Sequence, residues 1–212
     1  PYHRRNIMTK DELKIILEKH KLWLDSNTEG GVRANLRDAN LRDANLEGAD
    51  LRGADLMGAK LWDVNFSGAN LGEADLRYAD LTDANLKNAN LEDANLRNAD
   101  LWGAYLGSAN LRGSDLEDAE LRGANFSGAN LEGANLRDAN LRDAGLRCAN
   151  LRGANLRYAN LKKADLSGAD LSGVNLEDVN LSGAYLEDVN LWGADLENAN
   201  LKDADLEGGE TQ

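Results

Sequence analysis

Proline occurs once in 212 residues, cysteine once and histidine twice, and aromatic residues make up only 5% of the chain. Each scarcity removes a class of protein. A lone cysteine, Cys148, makes no intrachain disulfide, so nothing calls for an oxidising compartment and a cytoplasmic setting is expected. Two histidines and one cysteine supply no zinc-type ligand cluster. No Gly-rich phosphate loop precedes a Lys-Ser/Thr pair, and no nucleophile elbow is present. Carboxylates are plentiful, but they recur by position along the chain and do not converge on a pocket. The expectation is a protein with no catalytic residues and no cofactor. No apolar run approaches a membrane span, and no signal-peptide core precedes the main pattern, so no membrane partner is expected.

What the chain does have is a period. From Leu36 to Leu206 a Leu or Phe stands at every fifth residue, through 35 consecutive units without an insertion. An α-helix would smear these residues around its circumference, because five residues turn about 500°. A straight strand would send successive ones to opposite faces, since five is odd and the strand period is two. A chain that turns a corner after every unit points them all to one axis. The pattern therefore predicts a solenoid.

The other positions follow the same logic. Two residues before the central Leu stands Ala in 30 of 35 units, the exceptions being Val64, Ser114, Val174, Val179 and Val189. Ala and Leu at this spacing share the inward face of a short extended piece, and the residue between them points out. Two residues after the centre stands Gly, Asp or Asn in 29 of 35 units, types that tolerate the left-handed backbone of a tight corner.

The unit Ala-(Asp/Asn)-Leu-x-x, as in Ala49-Asp50-Leu51-Arg52-Gly53, resembles the repeat of pentapeptide-repeat proteins over about 34–208. The resemblance implies an all-β solenoid, a right-handed quadrilateral β-helix in which four units make one coil. At about 4.8 Å per coil, nearly nine coils would make a rod about 42 Å long. With 20 residues per coil, Phe66 and Phe126 fall on one side, together with the outward rule-breakers Tyr105, Gly145 and Tyr185. Some members of the family imitate duplex DNA and act on type II topoisomerases, inhibiting them or protecting them from quinolones. That makes a topoisomerase modulator the alternative to a general interaction scaffold. The protective members tend to carry loops that leave the coils, and this chain has none.

Charge is unevenly spread. The formal net charge is −13, and residues 164–212 hold one Lys against twelve acids. Just before them Arg137, Arg142, Arg147, Arg152, Arg157, Lys162 and Lys163 fall on successive sides and form a basic belt. The belt either relieves repulsion between stacked acidic columns or docks an acidic partner. Direct nucleic-acid binding is not expected, because the net charge has the wrong sign and the belt does not gather on one face. Asp-rich columns invite calcium, yet the Gly-Gly-x-Gly-x-Asp nonapeptide of calcium β-rolls is absent, so no metal is assigned. Trp62 and Trp102 share one outward column two coils apart, with Tyr105 round the next corner. They are the candidate protein-binding surface; the alternative is that they merely cover their neighbours. Cys148 replaces a corner Gly or Asp beside Arg147, which favours a thiolate if the site is functional and means little if it is not.

The ends read differently. Residues 1–7 read as a remnant of expression, 8–33 as a capping helix with its linker, 34–208 as repeats and 209–212 as a tail. Thr9-Lys10-Asp11-Glu12 has capping-box spacing, and Leu13, Ile16, Leu17, His20 and Leu24 follow at helical intervals. A helix over about 10–25 is expected, ended by Gly30-Gly31 and covering the floor of the first coil. At the other end the last coil is expected to leave Leu191, Leu196, Leu201 and Leu206 partly open, the candidate contact of a weak homodimer.

Overall fold

The computed structural model of the chain describes residues 7–25 and 30–208. The expectations for residues 1–6 and for the tail 209–212 fall outside them. One helix, α1, spans Lys10–Leu24; a solenoid follows from Ala34. Every pairing in it is parallel and joins residue n to residue n+20, from Asn35↔Asp55 through to Tyr185↔Asp205. Four units thus close one coil. The four sides take their names from their first paired residue: the Asn35, Asn40, Asn45 and Asp50 sides.

No strand longer than a single bridge forms among the described residues. The all-β reading needs this qualification, and its cause is the corner. All 35 residues two past a centre have positive φ, from 54° at Asp83 to 75° at Gly208, which breaks any extended run after three residues. Twenty of those positions are not glycine, Tyr78, Tyr158 and Lys163 among them. A residue with a Cβ is less at ease there, so the hydrogen bonding around the corner has to hold it.

That bonding accounts for nearly every backbone group of a unit. In the unit centred on Leu56, the Leu56 N–H donates up to Asp75 O (2.8 Å) and Gly58 N–H up to Arg77 O (2.9 Å). Asp55 N–H donates down to Ala34 O (3.0 Å), and Ala59 N–H closes the turn on Leu56 O (3.0 Å). The one remaining donor, Met57 N–H, is taken by the Asp55 side chain (3.1 Å). The Asp or Asn before each centre is therefore a turn acceptor as well as an outward residue. Asn side chains also bond from coil to coil on the Asp50 side, where Asn90 donates to Asn70, Asn110 to Asn90, Asn130 to Asn110 and Asn150 to Asn130.

Inside, the core is a column of Leu and Ala, with Phe66 and Phe126 the largest wholly buried side chains. Ser114, standing where Ala is the rule, is buried and turns its hydroxyl to Leu111 O at 2.7 Å, which satisfies it. The four Val at the Ala position lengthen the turn bond to 3.2–3.3 Å, as in Val189 N to Leu186 O, because the branched Cβ crowds the axis.

At the N-terminal end α1 carries the expected capping box, with Thr9 Oγ1 accepting from Glu12 N–H and Glu12 Oε2 accepting from Thr9 N–H. Leu13 is buried in the core cluster, and Met8, Ile16 and Leu17 pack against it. The helix ends at its C-cap Asp25, ahead of the glycines expected to stop it. Gly31 has another purpose: a Cβ there would overlap the Leu22–Trp23 backbone, so only glycine lets the chain pass so close to the last turn.

His20, wholly buried, is the joint between helix and solenoid. Its Nδ1 accepts from Ala34 N–H at 3.0 Å, a donor that in every later coil bonds the preceding Leu carbonyl. Its ring stacks on Trp23 at 5.3 Å. Burial holds the imidazole below its usual pKa, against a pull upward from Asp50 and the Arg52 carbonyl. Met8 N–H substitutes for an absent lower coil in the same way, donating to Asn40 O at 2.9 Å. Cover is incomplete, however. An open groove of about 950 Å³ runs between α1 and the first coil, lined by Leu13, Leu17, Leu24, Leu41, Ala44 and Ala49 among others.

At the far end burial fades in chain order. Leu191 is 5% exposed, Leu196 and Leu201 are half-buried, and Leu206 is 46% exposed. The expectation that all four stay open fails for Leu191. A spiral rises a quarter of a coil per side, so Leu191 lies lowest and the three later centres stand above it.

Candidate interaction surface

The register sorts every outward side chain onto a side. Trp62 and Trp102 stand in the same column of the Asn40 side, Arg42-Trp62-Thr82-Trp102-Arg122-Arg142-Lys162 counted upward. They are not equivalent. Trp62 is half-buried, with the Arg42 guanidinium 3.1 Å from its ring centroid, so its face is already taken. Trp102 is 45% exposed, and its backbone N–H is held by Asp100 at 3.0 Å, which fixes the corner that presents it. Tyr105, 46% exposed, lies one unit on, with Lys87 Nζ 5.5 Å from its ring on the Asn45 side. Of the three candidate aromatics, Trp102 alone is therefore an open ring among the described residues, and Tyr105 is exposed beside it across one corner.

The basic belt does run over successive sides, but most of it is already paired. Arg137 meets Asp138 at 3.2 Å, Arg142 meets Asp143 at 3.1 Å, Arg147 meets Asp165 at 3.3 Å and Arg157 meets Glu177 at 2.6 Å. Arg152 lies 4.0 Å from Asp170. These pairs join columns within and between coils, so the belt chiefly offsets acidic repulsion. Lower on the rod an Arg–Asp pair has the same effect: Asp75, hydrogen-bonded to Arg77, is held below the usual carboxylate range. Lys162 and Lys163 stand apart from this, with no carboxylate within ion-pair reach among the described residues.

The candidate surface left out two outward side chains, Trp192, the most exposed large apolar side chain among the described residues at 68%, and Tyr185, exposed at 55%. The five-residue phase that placed Trp102 outside placed Trp192 outside as well, so that signal was present. Cys148 is exposed at a corner, with φ 55°. Among the described residues no group of three or more His, Cys, Asp or Glu is placed to hold a metal ion, and no helix is long and apolar enough to cross a membrane.

The family model described as "Pentapeptide repeats" matches residues 34–72, 65–103, 99–138, 134–173 and 175–209. Among solved structures, HetL from the cyanobacterium Nostoc sp. strain PCC 7120, a pentapeptide repeat protein involved in heterocyst differentiation regulation, is 38% identical. That match covers 95% of this chain and 96% of HetL, with a TM-score of 0.72. Full-length QnrB1, a plasmid-mediated fluoroquinolone resistance protein, is 18% identical over 83% of this chain and 85% of its own, with a TM-score of 0.52, a likeness of fold alone. No curated protein matches the chain.

Proposed function

Because the chain belongs to the pentapeptide-repeat family, we propose that it is a non-enzymatic scaffold, a right-handed square rod of nearly nine coils closed below by α1, that docks a protein partner on its Asn40 side. The observation that supports this most is Trp102. It is a large ring held out from a rigid corner, with Tyr105 beside it and no charged side chain over its face among the described residues. Exposed aromatics on rigid supports make binding hot spots, because little conformational freedom is lost on docking. Likeness to HetL, itself named for a part in regulation, is consistent with a regulatory scaffold. Capture of partners by tagged full-length protein from an extract of the source cells tests the reading. Trp102→Ala should lose the main partner and Arg112→Ala should retain it; retention by both would exclude the Asn40 side as the docking surface.

A type II topoisomerase partner is the second reading, supported by the acidic rod. Residues 34–208 carry 17 basic and 31 acidic side chains, a net of −14 over nearly nine coils. Duplex DNA carries one charge per about 1.7 Å, or about 25 over 42 Å, so the rod is about half as charged. A gyrase supercoiling assay decides it: neither inhibition nor quinolone protection at tens of micromolar excludes this partner.

A further inference from the structure

Cations on this rod are either used internally or left open, and the division follows the sides. Ten of the repeat arginines lie within 4.0 Å of a carboxylate of the same chain. Arg42 and Lys87 lie over aromatic rings. The repeat cations with neither kind of partner among the described residues are Lys60, Arg122, Lys162, Lys163 and Lys202. All five belong to the Asn40 side. Above Trp102 that side carries Arg122, Arg142, Lys162, Lys163 and Lys202 against Glu120, Asp143 and Asp203, a local net of +2 on a rod whose repeats total −14. Glu120 is itself engaged by Asn140, whose amide donates to both its oxygens at 3.0 and 2.8 Å.

We propose that the upper Asn40 side is a docking surface for an acidic helical segment of a partner protein, whose carboxylates meet Arg122, Lys162 and Lys163 while an apolar side chain covers Trp102. The proposal rests on the reading of this side as the partner-facing one and adds the chemistry of the partner. Stacked coils step these side chains at about 4.8 Å. Carboxylates at i and i+3 or i+4 of a helix lying along the rod step at about 4.5–6 Å, which flexible Arg and Lys side chains can follow. Cations without an internal carboxylate need not break an existing pair to engage one from outside, whereas the paired arginines of the other sides must. Nucleic acid fits less well. The stripe is one side wide, and a phosphate backbone spilling past it would meet the acidic neighbouring sides, with Asp138, Asp178 and Glu187 exposed there.

Fluorescence anisotropy on the full chain tests the proposal. The probe is a labelled Glu/Ala/Leu helical peptide with acids on one face and leucines beside them, in about 50 mM salt. Arg122→Gln with Lys162→Gln and Lys163→Gln should weaken binding by at least about tenfold; the charge-matched Arg112→Gln with Arg147→Gln and Arg152→Gln should weaken it by less than about threefold. Trp102→Ala should also weaken it. Unchanged melting temperatures separate these losses from misfolding. Failure of the acidic peptide to bind, equal losses in the two triple variants, or tighter binding of an oligo-dT strand would each overturn the proposal. In the capture experiment, a partner lost with Trp102→Ala yet retained by the Arg122, Lys162 and Lys163 triple variant would leave the docking side standing and remove only the acidic partner.

Discussion

Asn110 shows how much one outward residue does here. Its oxygen accepts from Arg112 N–H (3.3 Å) and from the Asn130 amide (3.3 Å), and its own amide donates to Asn90 (3.0 Å). Asn110→Ala leaves that turn donor to solvent and cuts the ladder, and should cost about 1–2 kcal/mol in urea denaturation. Asn110→Asp keeps the turn bond but sets a carboxylate against the Asn90 oxygen and the Glu92 carboxylate, so it should cost a similar amount, with the loss eased by salt. Leu116, wholly buried in a stack that cannot close over a void, should cost about 2–5 kcal/mol as Ala. Arg112→Ala removes an exposed pair with Glu92 at 2.7 Å and should cost less than about 1 kcal/mol. Similar costs at Leu116 and Arg112 would mean that inside and outside are exchanged. The inside was legible because Leu, Ala and the corner types repeat at fixed phase. The turn bond of the Asp or Asn was not read, since alternation alone says that such a residue points out and leaves open what it then touches.

α1 is legible in outline for a comparable reason: capping box and apolar spacing are local signals, and its far end, which depends on how the chain joins the solenoid, is not. The joint itself is chemical. His20 must stay neutral to accept from Ala34 N–H, and its folded pKa lies below the unfolded value of about 6.5. A depressed folded pKa means that the unfolded state binds the proton more readily. The contribution of His20 is therefore complete above about pH 6.5 and declines as pH falls toward the folded pKa. Hydrogen exchange at Ala34 should quicken as pH falls below about 6.5, after correction for intrinsic rates, and this extra acid sensitivity should vanish in His20→Leu. An equal response in both proteins would place the proton elsewhere. Deleting residues 1–30 should expose the first coil and bring aggregation or fraying from that end; a monodisperse product with an unchanged melt would make α1 an appendage.

For the whole molecule the register is the organising fact, because it turns a linear sequence into four surfaces. The columns could be drawn from the sequence, so the sides on which Trp62, Trp102 and the belt stand were legible in it. Which cations are spent on internal pairs could not be drawn, since that depends on rotamers reaching between coils, and neither could the Arg42 cover on Trp62. The upper end has its own consequence. Leu206 and the half-buried Leu196 and Leu201 lie beside the backbone of the last described coil, and we propose a weak two-fold contact there between two copies. Residues 164–212 carry a net of −11, so light scattering should show association strengthened by salt. A monomer at every salt and concentration would remove the contact.

Whether this otherwise self-paired rod has a single partner-facing side is decided by photocrosslinking from each side in turn. A benzoylphenylalanine at position 102, 112, 117 or 127 stands on a different side at nearly the same height. Partner adducts are expected from 102 alone, or from 102 far above the other three. Adducts of equal yield from all four positions, or strongest from 112 or 117, would show that the Asn40 side is not the one the partner meets.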